Sequence, residues 1–193
     1  TSGATAEPKG VMITHGNVKC WGSAGAVGDG TSKQANAPVD VDGLGPRGDG
    51  KPIGVSAIAA GEAHTCAVLT TGGVKCWGKN LNGQIGDGTY GVSEDRLTPT
   101  DVIGMKDAIA VAGGYSHTCA LLNSGGVQCW GANDRGQLGD NSYLAERALP
   151  ADVTVPATCF VLSVSHSGSG SNPAPTPSQS PNCRANSYLA GTL

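Results

Sequence analysis

Residues 61–87 read GEAHTCAVLTTGGVKCWGKNLNGQIGD, and residues 114–140 read GYSHTCALLNSGGVQCWGANDRGQLGD. The two stretches are 53 residues apart and are identical at 17 of 27 positions. A weaker copy lies upstream, where the string GNVKCWG at 16–22 precedes GDGT at 28–31. Self-similarity at a fixed period of about 50 residues indicates a repeat architecture, in which each unit buries its apolar face against its neighbours.

Each strong repeat contains the pattern of a small antiparallel sheet. Alternating or small apolar runs at 55–60 and 108–112 precede the two units and predict inner strands that pack closely on neighbours. A polar loop follows each Gly-Asp and ends in a Pro-x-x-Val exit, which predicts an edge strand because proline cannot donate to a central ladder. These exits begin at Pro38, Pro99 and Pro150.

The cysteine spacing predicts a hairpin inside each strong repeat. Cys66 and Cys76 lie symmetrically about the glycine-bearing turn at 70–72, and Cys119 and Cys129 repeat this arrangement. Directly opposed residues of an antiparallel pair have Cα atoms about 4.5–5.5 Å apart, which is within disulfide reach. The spacing therefore predicts the disulfides Cys66–Cys76 and Cys119–Cys129. Metal binding is the competing interpretation, but there is no C-x-x-C pair.

Three cysteines have no assigned position in this scheme: Cys20, Cys159 and Cys183. Each is a candidate for a further disulfide or for pairing outside the chain. Paired cysteines at regular spacing indicate an oxidising compartment, so we expect an extracellular or cell-surface location.

Composition narrows the classes of function. The 193 residues include 31 glycines and 11 prolines, with only 14% charged and 4% aromatic residues, which favours short strands joined by tight turns. No apolar run reaches the roughly 20 residues of a membrane helix. The formal net charge of −3 and the lack of a basic cluster argue against a nucleic-acid partner.

Residues that recur with the repeat are interpreted as structural rather than catalytic, because an active site usually occurs once in a chain, whereas a structural feature of the repeat occurs once per unit. His64 and His117 are expected to be partly buried, with their rings hydrogen-bonded to neighbouring loop backbone. Inter-unit packing is the preferred role of the recurring indoles, and turn geometry that of the Gly-Asp loops. The residues concerned are Trp21, Trp77, Trp130, Gly86, Asp87, Gly139 and Asp140.

Catalytic, cofactor and metal sites are not predicted. A calcium loop would need the D-x-D-x-D-G spacing and a distal glutamate, and the Gly-Asp loops have neither. The chain contains no H-E-x-x-H, P-loop, dinucleotide fingerprint or nucleophile elbow. We therefore expect a protein that is not an enzyme.

The string HTCAxLxxGGVxCWGxNxxGQ[IL]GD resembles the repeat of the regulator of chromosome condensation (RCC1) family and of its secreted relatives of the beta-lactamase inhibitor protein II (BLIP-II) type. The resemblance covers about residues 11 to 155 and implies an all-β fold of four-stranded antiparallel propeller blades around an axis, normally seven. About three to three and a half blades are expected here, so the ring is incomplete. The first unit departs from the pattern, with Gly10 where Cys66 and Cys119 stand.

The predicted organisation has three parts. Residues 1–160 form propeller units near 10–54, 55–107 and 108–155, and 161–182 form a Ser/Gly/Pro-rich linker expected to be extended. Residues 183–193 are similar to the start of a cysteine-rich ephrin-receptor-like repeat. The linker hydroxyls are candidates for O-linked glycans. A propeller, a linker and cysteine-rich repeats in this order resemble the architecture of mastigoneme-like proteins of flagellar surfaces.

The sequence therefore predicts a non-catalytic extracellular module for protein partners or self-assembly, as in a surface filament or matrix. A secreted inhibitor or receptor-type binder is the alternative. An intracellular nucleotide-exchange or chromatin-binding propeller conflicts with the acidic charge balance and the paired cysteines.

Overall fold

The computed structural model describes residues 10–13, 17–45 and 54–154, and the backbone of two further short strands at 160–162 and 177–179. The described residues contain strands and turns and no helix. Contacts divide the chain into one unit ending at Val153 and a second unit from Thr154 onward.

Three antiparallel sheets, here named blades 1 to 3, make up the described part of the first unit. In blades 2 and 3 the strand order follows the chain, so each blade is a simple meander with its proline-bearing strand at the outer edge. Blade 1 consists of β1 (Gly10–Ile13), β2 (Val18–Gly22) and β3 (Ala35–Asp40). Blade 2 consists of β4 (Val55–Ala60), β5 (His64–Leu69), β6 (Val74–Gly78) and β7 (Arg96–Asp101). Blade 3 consists of β8 (Ala108–Gly113), β9 (His117–Leu122), β10 (Val127–Ala132) and β11 (Glu146–Asp152).

The predicted hairpin register is confirmed in blades 2 and 3. Cys66 lies opposite Cys76, and Cys119 lies opposite Cys129. The turn at 70–72 closes as expected, with hydrogen bonds between the backbones on either side of it.

In blade 1 the expected position of Gly10 is wrong by one residue. Val11, not Gly10, lies opposite Cys20, and Gly10 lies opposite Trp21. The reason is a hairpin connection that is one residue shorter than in blade 2. The residue ten positions before Cys20 is therefore Gly10, whereas the counterpart of Cys66 is Val11. The place of Cys66 is taken by an aliphatic side chain.

Every blade has an irregularity at its Trp-Gly step. The register between the third and fourth strands shifts between Cys76 and Gly78, and the equivalent shift occurs in blades 1 and 3. Gly78 has φ 108° and lies so close to the preceding loop that a Cβ would be 2.5 Å from the carbonyl oxygen of Ala63. Only glycine adopts such a conformation without strain, which explains why each blade has glycine after its tryptophan.

The hydrophobic core lies between blades rather than inside any one of them. One buried cluster joins the inner face of blade 2 to Trp130 and Ala120 of blade 3, and the other joins blade 1 to Trp77 and Ala67 of blade 2. The inner strands β4 and β8 approach closely enough that a Cβ on Gly113 would be 2.6 Å from the backbone nitrogen of Gly61. The prediction of closely packed inner strands is confirmed.

In the second unit, β12 (Phe160–Leu162) pairs antiparallel with β13 (Pro177–Gln179). Both strands overlap the segment from 161 to 182 that was predicted to be an extended linker, so part of that segment is strand-paired. The Phe-Val-Leu run supplies the apolar residues that strands favour, and Pro177 stands at the beginning of its strand, where proline is tolerated. Cys159, Cys183 and the predicted cysteine-rich start at 183–193 lie outside the described residues.

Candidate interaction surfaces

The interface between blades 2 and 3 is organised around one backbone carbonyl. The oxygen of Gln84 accepts hydrogen bonds from Thr118 Oγ1 at 2.9 Å and from Trp130 Nε1 at 3.0 Å. Thr118 and Trp130 face each other across the β9–β10 pair and are fully buried. Buried polar groups require such partners, so the Gly-Gln-Ile-Gly-Asp loop of one blade is fixed by the next blade.

Blades 1 and 2 repeat this arrangement with a different residue in the loop. Thr65 Oγ1 and Trp77 Nε1 both donate to the carbonyl oxygen of Ala26, each at 3.1 Å. Because the acceptor is backbone, the same pair of hydrogen bonds forms at Ala26 and at Gln84. The expected inter-blade role of Trp77 is therefore supported by a specific contact. In blade 1 the threonine position is Gly10, and the ring of Trp21 occupies the space that a side chain there would need.

His64 continues the interface by one more contact. Its Nε2 lies 2.9 Å from Thr118 Oγ1, and the ring is fully buried. Thr118 has a single hydroxyl hydrogen, which it donates to Gln84, so the Nε2 of His64 must donate to Thr118. The partner of Nε2 is thus a side chain of the next blade, and the expected hydrogen bond from the ring to neighbouring loop backbone stays a prediction. His117, the equivalent residue of blade 3, is half-buried, and its pKa is lowered by burial.

The four cysteines of the predicted pairs are at disulfide distance. The Cα atoms are 4.1 Å apart in both Cys66–Cys76 and Cys119–Cys129. The two pairs differ in their surroundings, because Cys66 and Cys76 are buried against blade 3 whereas Cys119 is half-buried. Cys20 is buried in the cluster between blades 1 and 2.

The Gly-Asp loops are fixed by ion pairs that the sequence patterns did not predict. Asp87 accepts from Arg96 Nε at 2.6 Å and from the backbone nitrogen and hydroxyl of Thr89 at 3.0 and 2.7 Å. Burial acts to raise the pKa of Asp87, but the hydrogen bonds from Thr89 and Arg96 hold it below its ordinary value. Asp140 repeats the arrangement with Arg147, and its pKa is lowered in the same way, with Ser142 in the place of Thr89.

Two asparagines that the sequence analysis did not single out organise the same loops. Asn80 Oδ1 accepts from the backbone nitrogen of Ile85 at 3.1 Å, and its Nδ2 donates to the carbonyl of Thr89 at 3.0 Å. Asn133 makes the equivalent bond to Leu138. Their recurrence two residues after the Trp-Gly of both strong repeats was a signal for this role. The glycines of these loops have positive φ, 81° at Gly86 and 61° at Gly139.

Blade 3 exposes a face that is covered in blade 2. Leu121 and Val127 are 38% and 36% exposed, whereas their counterparts Val68 and Val74 are 0% and 1% exposed. The residues that line this shallow apolar surface are here named the open face: Ala110, Val111, Ala112, Cys119, Ala120, Leu121 and Val127.

Metal sites and membrane-spanning helices are the other features relevant to the described residues. In that part of the chain, no group of three or more His, Cys, Asp or Glu side chains is arranged to hold a metal ion. No helix there is long and apolar enough to cross a bilayer.

The blade geometry agrees with comparisons to known protein families. Models of the regulator of chromosome condensation (RCC1) repeat match residues 55–84, 108–137 and 71–121. Residues 55–137 of this chain are thus similar to the RCC1 repeat. Among curated proteins it is 33% identical over 136 residues to the ultraviolet-B receptor UVR8 of Arabidopsis thaliana, and 33% identical over 127 residues to the human E3 ubiquitin-protein ligase HERC2. Protein pim1 of Schizosaccharomyces pombe is 34% identical over 103 residues.

Solved structures share the fold of this chain. The Prp20p structure from Saccharomyces cerevisiae superposes with a TM-score of 0.62 at 21% identity, covering 79% of this chain and 36% of that one. Human WBSCR16 superposes with a TM-score of 0.58 at 20% identity, covering 76% and 37%. The matched regions are 69% of this chain and 29% of UVR8, and 63% of this chain and 2% of HERC2. The all-β propeller-blade architecture predicted from sequence is confirmed.

Proposed function

We propose that this chain is a non-catalytic, extracellular protein-interaction module whose open face docks onto another blade. The observation that carries the proposal is the contrast between blades 2 and 3. The same sheet surface is buried where a neighbouring blade covers it and more than a third exposed at Leu121 and Val127. An exposed apolar surface with a buried internal counterpart favours association with a surface of the kind that covers the counterpart.

The chemistry of that partner can be inferred from the interface between blades 2 and 3. There the covering blade contributes an indole and a threonine hydroxyl that converge on a loop carbonyl. We therefore expect the partner of the open face to be a propeller blade, supplied by the same polypeptide or by a second chain. Assembly in a surface filament or matrix of the mastigoneme type would use this mode of contact.

The extracellular part of the proposal is supported by the cysteine pairs. Two cross-strand pairs at disulfide distance, one in each strong repeat, are typical of proteins from oxidising compartments. Peptide mapping of the native protein without reduction tests this directly. We expect the peptides of Cys66 and Cys76, and those of Cys119 and Cys129, to be recovered as linked pairs. Recovery of all four as free thiols would instead favour an intracellular propeller.

The interaction part is tested by sedimentation under oxidising conditions. The oxidised chain should associate with increasing concentration, and Leu121→Asp should reduce the association at least about tenfold, because a carboxylate would be buried in an apolar contact. Tyr90→Asp is the matched control, since Tyr90 is 55% exposed on a loop outside the open face. A chain that stays monomeric and captures no blade-containing partner would contradict the proposal.

A further inference from the structure

Differences between the two strong repeats are concentrated in one place. Of the ten positions at which 61–87 and 114–140 differ, five have their blade 3 residue in the lining of a single cleft. These five residues are Tyr115, Ser116, Ala132, Asp134 and Arg135. Residues that both repeats share maintain the blade structure. A function that occurs once in the chain would therefore use positions at which the two repeats differ.

The cleft has the size and polarity of a site for a small polar ligand. Its volume is about 650 Å³, within the range of about 300–1,000 Å³ that is usual for small-molecule sites. Asn82 of blade 2 also contributes to it, together with His117 and Gln137 of blade 3. The Tyr115 ring and the Ala132 methyl group are apolar parts of this lining.

Hydrogen bonds fix the polar groups on one side of the cleft. Gln137 Nε2 donates to Asp134 Oδ1 at 3.0 Å, and Gln137 Oε1 accepts from the backbone nitrogen of Arg135 at 2.8 Å. Arg135 Nε lies 3.7 Å from Asp134 Oδ2. The side chains of Asp134 and Arg135 are 62% and 88% exposed, so the carboxylate and the guanidinium still have capacity for a ligand.

The aromatic side of the cleft is oriented by the neighbouring blade. The hydroxyl of Tyr115 is hydrogen-bonded to the Glu62 carboxylate, which raises the pKa of Tyr115 and keeps the phenol neutral. The ring itself is 66% exposed. Burial lowers the pKa of His117, so its imidazole is neutral at pH 7. Among the residues that line the cleft, the opposite charges of Asp134 and Arg135 offset each other, so the lining itself has no excess of charge.

The rim of the cleft does not depend on blade 3 lacking a covering blade. Leu81 of blade 2 is the counterpart of Asp134, and it is 52% exposed although blade 3 covers blade 2. By contrast, His64, the counterpart of His117, is covered completely. A further blade would therefore reach His117 and leave the position of Asp134 accessible.

We propose that this cleft binds a neutral saccharide. An exposed aromatic ring stacks on the apolar C–H face of a sugar, and a carboxylate beside a guanidinium accepts from one hydroxyl and donates to its neighbour. A charged ligand would require an excess of opposite charge, and an apolar ligand would require an apolar lining. Asn82 and Ser116 add the neutral donors and acceptors that hydroxyl recognition uses.

Saturation-transfer NMR on the whole chain tests the proposal. The neutral probes are methyl glycosides of glucose, galactose, mannose and N-acetylglucosamine, with maltose and cellobiose, and the anionic probe of the same size is methyl glucuronide, all at millimolar concentration. We expect at least one neutral probe to receive saturation. The triple variant Y115E, D134L and R135N should weaken it at least about tenfold. This variant gives blade 3 the residues that blade 2 has at 62, 81 and 82, where the same fold accommodates them.

The control is Tyr90→Ala, which removes an exposed tyrosine outside the cleft and should bind as the parent does. Thermal unfolding of all variants establishes that the fold is retained. No saturation of any probe, equal binding by the triple variant, or preference for an anionic sugar of the same size would each overturn the proposal.

Discussion

Thr118 makes two buried hydrogen-bond contacts across the interface between blades 2 and 3. Its hydroxyl donates to Gln84 and lies 2.9 Å from His64 Nε2, and all three groups are buried. Thr118→Val keeps the shape of the side chain and removes the hydroxyl. The buried Nε2 of His64 then loses its Thr118 acceptor, and the buried carbonyl oxygen of Gln84 loses the Thr118 donor. We expect a loss of about 2 kcal/mol in the free energy of unfolding, measured by urea denaturation.

Thr100→Val is the matched control for that substitution. The Thr100 hydroxyl donates to the carbonyl of Thr98 on an exposed part of β7, so its loss should change stability by less than about 0.5 kcal/mol. Equal effects of the two substitutions would show that the Thr118 contact does not hold the blades together.

Asp87 predicts a pH dependence of stability. The folded-state pKa of Asp87 lies below its ordinary value of 3.8, so the unfolded chain takes up a proton at higher pH than the folded chain. The stabilisation is therefore complete above about pH 5 and is lost as the pH falls through the folded pKa. Asp87→Asn should cost about 2 kcal/mol at pH 7, and its difference from the parent should shrink below pH 4.

Urea midpoints at pH 7, 5, 4 and 3 measure this effect. Asp29→Asn is the control, because Asp29 holds the same loop position in blade 1 but Ala35 stands where blades 2 and 3 have the arginine. A constant difference between Asp87→Asn and the parent across this range would contradict the ion-pair interpretation.

Among the structural elements, the hairpins predict an order of reduction. The Cys66–Cys76 pair is buried beneath blade 3, whereas Cys119 is half-buried on the open face. A reductant must reach a sulfur atom, so the Cys119–Cys129 pair should be reduced before Cys66–Cys76 under native conditions. Timed reduction with a phosphine, alkylation and peptide mass spectrometry give the order. Unfolding in urea should remove the difference, and simultaneous reduction in native buffer would contradict the burial argument.

The hairpins also show how much of the fold sequence could predict. The register around Cys66 and Cys76 follows from symmetry about a glycine turn, because strand pairing has a fixed period. In blade 1 the same arithmetic failed, since one missing residue in the connection moved Val11 into the cysteine position.

The ion pairs of the Gly-Asp loops escaped prediction for a related reason. Arg96 follows Asp87 by nine residues, but Arg147 follows Asp140 by seven. A constant offset therefore does not align the two arginines. The cleft was missed because its residues are the ones that break the repeat, and a search for shared positions passes over them.

At the scale of the whole molecule, charge is distributed in a repeated way. Asp40, Asp101 and Asp152 occupy the same register position on the outer strand of each blade, opposite Lys19, Lys75 and Gln128. The two lysines form ion pairs with their aspartates at 2.7 Å. The positive charges of Lys19 and Lys75 are thus each neutralised by an adjacent aspartate. The formal net charge of the whole chain is also negative, at −3.

This distribution predicts that the chain does not bind duplex DNA. Affinity for the phosphate backbone depends on uncompensated Lys and Arg, so in physiological salt we expect a dissociation constant weaker than about 10⁻⁴ M by fluorescence anisotropy. Reversing all three aspartates, D40K with D101K and D152K, changes the formal net charge from −3 to +3 and creates a row of positive charge across the blades. That variant should bind DNA with an affinity that falls as salt rises. Salt-sensitive binding by the parent chain would contradict this prediction and favour a chromatin-binding role, whereas failure of the variant to bind would show that the aspartate row is not what excludes nucleic acid.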